Sequence, residues 1–157
     1  MFTINHDEAM DMGLIEEGEY EVVVAKAFED VSKNGSVFIN LHLVVRNDID
    51  QKYKNKYIFA SIWQSKETGQ YHSGMINTVA KALQIENGKK FNTLEELLDD
   101  FKFKTARVTV GHEEYNNKIN ARVQRWEQSK FPTCNHQFKK EKFAGFTEDT
   151  NEDDIPF

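Results

Sequence analysis

The chain has 157 residues, 39% of them hydrophobic, a formal net charge of −6 and one cysteine. That is enough for one domain with a core, plus a tail. No apolar run approaches the ~20 residues of a membrane span, and a lone Cys134 leaves no internal disulfide and fits a reducing compartment. The N-terminus lacks a basic stretch followed by an apolar block, so no signal peptide is expected and the cytoplasm is the expected location.

Residues 1–18 are acidic and broken by Gly13 and Gly18, an irregular lead-in. Tyr20 to Phe28 alternates and is rich in valine, which predicts a strand. Ser32-Lys33-Asn34-Gly35 is a hairpin signal, because Asn-Gly accepts the positive φ of a tight turn. Ser36 to Arg46 alternates cleanly, with Val37, Ile39, Leu41, Leu43 and Val45 on one face and Phe38, Asn40, His42, Val44 and Arg46 on the other. The first set is core and the second mixes rings, polar groups and cations. Asn47 to Lys56 is a basic loop containing Lys52, Tyr53 and Lys54. Tyr57 to Gln64 predicts a third strand, with Tyr57, Phe59, Ser61 and Trp63 opposite Ile58, Ala60 and Ile62.

Apolar residues then recur at three and four from His72 to Gln84, predicting a helix. Thr93 can cap a second, short helix. Lys104 to Glu113 and Ile119 to Glu127 predict a last strand pair joined through Tyr115-Asn116-Asn117-Lys118. Strict alternation along the fifth strand turns Arg122, Gln124 and Trp126 outward and Arg125 the other way. After Phe131-Pro132 the periodicity stops. Residues 1–131 are therefore expected to form the folded domain and 132–157 a flexible arm with an acidic tip. Three strands, helices and two strands is the order of an OB-fold, a mainly β, five-stranded barrel with its helices between strands 3 and 4. Such barrels bind oligonucleotides on the strand 2–3 face and by the loops joining strands 1–2 and 4–5.

The charge is unevenly spread. Residues 102–146 hold 10 Lys or Arg against 4 Asp or Glu, while residues 147–157 hold 5 acids and no base. A negative total does not exclude a polyanion ligand if the cations gather in one groove, and the acidic tail could lie back on that groove as a weak competitor. Single strands are held by rings that stack bases and by cations that meet phosphates. The residues expected to do this are Phe38, His42, Arg46, Lys52, Tyr53, Lys54, Trp63, Arg122 and Trp126. Each ring taken alone is as readily explained as core, and each lysine as solvated surface. His112-Glu113-Glu114 and Cys134-Asn135-His136 are weak metal candidates: strand neighbours point to opposite faces, and a structural zinc wants four ligands. No phosphate loop, nucleophile triad or dinucleotide glycine pattern appears, so no catalysis, metal or cofactor is expected.

The chain finishes in Glu152-Asp153-Asp154-Ile155-Pro156-Phe157, an acidic run on an apolar peg. Pro156 pre-extends the peptide, and such a ligand suits a pocket edged by Lys or Arg. This ending resembles the tip of bacterial single-stranded-DNA-binding proteins, which in that family recruits replication and repair enzymes. The resemblance implies partner binding through Asp153, Asp154, Ile155, Pro156 and Phe157. The body, from Gly18-Glu19-Tyr20-Glu21-Val22 through Gly74-Met75-Ile76-Asn77 to Val123-Gln124-Arg125-Trp126, resembles a phage-encoded family taken to be single-stranded-DNA-binding OB-fold proteins. That implies single-stranded DNA as ligand and host or phage replication and recombination proteins as partners, with self-association compatible. Two rivals stand beside it: an adaptor whose barrel binds protein and whose tail copies a host recruitment peptide, and a metal-dependent nuclease or annealing factor acting through His112 and Glu113.

Overall fold

The structure, a computed structural model, describes residues 2–4 and 14–138. Five strands and two helices follow the expected order: β1 Gly18–Val31, β2 Val37–Val45, β3 Tyr57–Trp63, α1 Ser73–Ala82, α2 Leu94–Phe101, β4 Thr105–Tyr115 and β5 Lys118–Glu127. All pairings are antiparallel, in the order β3-β2-β1-β4-β5. The outer strands β3 and β5 come back into contact, which curls the sheet into a barrel. This is OB-fold topology, mainly β, with both helices between β3 and β4. No described helix is long and apolar enough to cross a membrane.

The turns follow from their residues. Gly35 takes φ +82° in the β1–β2 turn, and Asn116 and Asn117 take +51° and +63° in the β4–β5 turn, where both central residues of a tight hairpin need positive φ. His72 caps α1 by accepting from the Gly74 N–H at 3.1 Å. Thr93 caps α2 by accepting from the Glu96 N–H, while the Glu96 carboxylate accepts from the Asn92 N–H. Val79, Ala82 and Leu83 from the first helical region and Leu98 and Phe101 from the second close the barrel interior over Val22, Val24, Ile39, Leu41, Leu43, Ile58, Ile62, Ala106 and Val108.

Two β-bulges break the strict alternation of the strands. On β1 the register slips between Val24 and Lys26, so Val22, Val24 and Ala27 are core while Lys26 pairs with His42 and Phe28 with Asn40 on the outer face. On β5 it slips at Gln124: Val123 pairs with Val110, Arg125 with Thr109 and Trp126 with Val108. The Gln124 side chain lies over Gly111, where a Cβ would sit 2.1 Å from Gln124 Nε2. The slip turns Trp126 inward against the core and Arg125 outward with Arg122.

The folded domain does not stop at residue 131. The segment 129–138 returns across the end of β2 and is fastened there by Arg46, which is fully buried. All five guanidinium donors of Arg46 are used. Nε and Nη2 grip the two carboxylate oxygens of Asp48 at 3.0 and 2.7 Å. Nη1 donates to Ser129 Oγ and the Phe131 carbonyl, and Nη2 also to the Thr133 carbonyl. The Asn47 N–H donates to His136 Nδ1, and Asn47 and Gln137 exchange two further bonds. Buried Glu21 accepts from the Ser129 hydroxyl and the Lys130 N–H. The expected loose arm from 132 is thus, as far as Phe138, part of the packed body.

Candidate nucleic-acid interface

The outer face of β2 and β3 is an array of rings built by register. Phe38 pairs with Trp63, Asn40 with Ser61, His42 with Phe59 and Val44 with Tyr57. Paired residues in a sheet share a face at about 5 Å, so the rings meet. Phe38 and Trp63 stack at 4.4 Å and 30°, His42 meets Phe59 edge-on at 4.8 Å, Tyr57 lies near-parallel to Phe59 at 6.2 Å, and Phe28 meets His42 edge-on at 5.2 Å. Phe59 and Trp63 are 55% and 50% exposed, which is unusual for large rings in mid-strand and leaves flat apolar surface for a ligand.

The ends of the array are basic and turn-bounded. The β1–β2 turn, carrying exposed Lys33, lies beyond the Phe38–Trp63 end. At the Tyr57–Phe59 end a cleft of about 330 Å³ follows the β3–β5 seam, lined by Lys56, Tyr57 and Phe59 on one side and Asn120 and Arg122 on the other. Arg122, on β5, is thereby brought beside rings on β3. Asp30, paired with Phe38, is the acid on this face nearest the stacked pair in register. Flat rings flanked by cations can stack bases and hold phosphates without reading base edges.

The expected residues divide accordingly. Phe38, His42, Trp63 and Arg122 fall on or beside one continuous surface. Arg46 does not: it is enclosed and its donors are spent on Asp48 and the returning segment. Its guanidinium, lying on the Asp48 carboxylate, holds that group at a pKa of about 2. Trp126 is turned to the core by the β5 bulge. Tyr53 is also spent on the fold, packing edge-on against Tyr20 at 6.0 Å and onto the core, with the Lys56 ammonium 5.5 Å from its ring. Lys52 is exposed and pairs with Glu16 at 3.4 Å, and Lys54 is exposed in the same loop. Asp153, Asp154, Ile155, Pro156 and Phe157 lie outside the described residues.

Nor do the cations of the basic segment line one trough. Lys102 pairs with Asp99, Lys104 with Asp100, and Arg107 with Glu19 at 2.7 Å and Glu21 at 3.4 Å. The Arg107 hydrogen bond depresses the pKa of Glu19. Arg122 and Arg125 remain exposed on the outer side of β5. Phe28 joins the surface although it was not among the expected binding residues, and Tyr57 and Phe59, more readily read from the sequence as core, join it too. For Phe28 the signal was Lys26: strict alternation from Val22 and Val24 would have buried a lysine, which is a reason to expect a bulge.

The metal candidates are engaged elsewhere. His112 Nε2 lies 2.7 Å from the Ile15 carbonyl and the His112 N–H donates to Glu17. His136 is buried, which lowers its pKa and suits the acceptor role of Nδ1. Among the described residues no three His, Cys, Asp or Glu side chains are grouped to hold a metal ion.

No curated protein matches the chain. Among solved structures, a chain of the one described as "Yeast RPA bound to ssDNA" is similar at 9% identity, covering 92% of this chain and 91% of that one. Its TM-score is 0.33, so the OB-fold assignment rests on strand order and barrel closure instead. A family pattern described as "Protein of unknown function (DUF669)" matches residues 2–141, most of the length, and the chain belongs to that family.

Proposed function

We propose that this protein is a non-catalytic single-stranded-DNA-binding protein that covers exposed strand with little sequence preference. The observation that carries the reading is the ring array Phe38, Trp63, His42 and Phe59 on the β2–β3 face, with Trp63 and Phe59 half exposed and Arg122 beside it across the seam. Stacking on rings tolerates any base, because every base has a π-face, which supports binding with little sequence preference. In this reading Asp153, Asp154, Ile155, Pro156 and Phe157 recruit replication, recombination or repair proteins to covered DNA in the cytoplasm of a cell or phage-infected host.

Titration with oligo-dT at several salt concentrations tests it. Affinity should fall with salt, because a strand held by Z phosphate contacts gives a log–log slope of about −0.7Z. Arg122→Ala should weaken binding of every sequence alike and lower the steepness of that slope by about 0.7, the share of one phosphate contact, with little change in stability. Absence of any oligo-dT binding would instead favour the protein-binding adaptor.

A further inference from the structure

A second concave surface shares no residue with the ring array. It is a groove of about 860 Å³ between α1, α2 and the segment joining them, walled by Ile76, Ala80, Ile85, Phe91 and Leu97 and carrying Lys81 and Lys89. Ile76, Ala80, Ile85 and Leu97 pack one side onto the core and turn the rest to the groove. Lys89 is shared with Asp100 at 3.1 Å and lies 5.4 Å from the Phe91 ring, so its charge stands over apolar surface. With Glu86 also in its lining, the groove holds two lysines against one acid, and an apolar trough with this small cationic surplus fits a peptide that combines acids with bulky apolar side chains.

We propose that this groove holds the chain's own acidic tip, with Ile155 and Phe157 in the apolar trough and Asp153 and Asp154 against Lys81 and Lys89. The route is short. The last described residue, Phe138, meets Phe103 edge-on at 5.6 Å, and Phe103 stands two residues after α2 ends. An eight-residue helix is about 12 Å long, and Leu97, inside α2, already lines the groove. The 15 residues from Phe138 to Asp153 span up to about 50 Å when extended, so tethering does not prevent docking. The returning segment 129–138 fixes where the tail starts, because Arg46 and Asn47 hold it down. Docking in the groove would keep the tip from partners until it is displaced, while leaving the strand-binding face open. The inference is independent of the nucleic-acid reading, since oligo-dT binding is scored on Trp63 and tip docking on the groove.

Backbone amide NMR of the full chain beside Phe157→Ala tests it. The expected result is shifts confined to the groove, at Ile76, Lys81, Gly88 and Leu97, with Phe38 and Trp63 unmoved. In Lys81→Glu, an exposed position whose change spares the fold, the Ile155 and Phe157 amides should move to their positions in the free peptide Glu152–Phe157. Three outcomes would overturn the proposal: no groove shifts, shifts on the ring array instead, or groove shifts that grow with protein concentration, which would assign the site to a second copy's tip.

Discussion

Replacing Trp63 by alanine should lower the affinity for oligo-dT about fivefold or more and leave the melting temperature nearly unchanged. A stacked base is worth ~1–3 kcal/mol, and half-exposed Trp63 gives up little core when removed. Phe59→Ala should behave in the same way and to a similar degree, because its ring stands equally far out of the sheet. Trp126→Ala should do the reverse. Its indole packs on the core beside Val108, so removal costs stability, on the order of 3 kcal/mol for a largely buried ring, with a smaller effect on affinity per folded molecule. Parallel titrations and thermal melts of the three variants separate the roles. Equal affinity losses for Trp63 and Trp126 variants that remain fully folded would argue against the assigned face.

Arg46→Met destabilises the fold by about 3–5 kcal/mol, the usual cost of leaving a buried charge unpaired. Glu21 and Asp48 lose their common cation, and the carbonyls of Phe131 and Thr133 lose their donor. The segment 129–138 should then exchange its amides far faster than the strands, since its main anchor is gone. Acid should act on the same knot. The Arg46 hydrogen bonds hold Asp48 at a pKa of about 2 against an ordinary 3.8. A carboxylate with a lowered folded pKa stabilises the native state fully above its unfolded pKa and loses that contribution as pH falls from about 4 toward 2. The amount is about 2 kcal/mol. Urea melts between pH 6 and pH 2.5 should show this loss in the native chain and much less of it in Arg46→Met. An unchanged acid profile in the variant would mean that Asp48 is not held by Arg46.

The architecture was legible because local chemistry and global fold agree. The Asn-Gly and Asn-Asn turns, the Thr93 cap and the clean alternation of β2 each follow from one residue's backbone or side-chain preference. Site assignment failed wherever a strand departed from period two. The β1 bulge moved Lys26 and Phe28 to the outer face, and the β5 bulge exchanged Arg125 and Trp126. A bulge depends on its partner strand, here β4, where Thr109 and Val110 face Arg125 and Val123 with Gln124 left over, and a single strand's pattern does not contain that partner. Arg46 failed for a different reason. Its position after an alternating strand gave it the outer face correctly, but the cover over that face comes from residues 129–138, whose sequence carries no periodicity. Charge composition misled in the same way: Lys102, Lys104 and Arg107 are close in sequence yet each is neutralised by an acid from α2 or β1.

A Trp126→Phe chain keeps Trp63 as its one tryptophan and makes the β2–β3 face directly observable. Its fluorescence on adding oligo-dT is the measurement to make. Saturable quenching, reversed by salt, is the predicted result, because bases must stack on or beside Trp63 if strands lie across the rings. Binding detected by anisotropy of labelled oligo-dT with Trp63 emission unchanged would contradict the account, since the strand would then lie on some other surface.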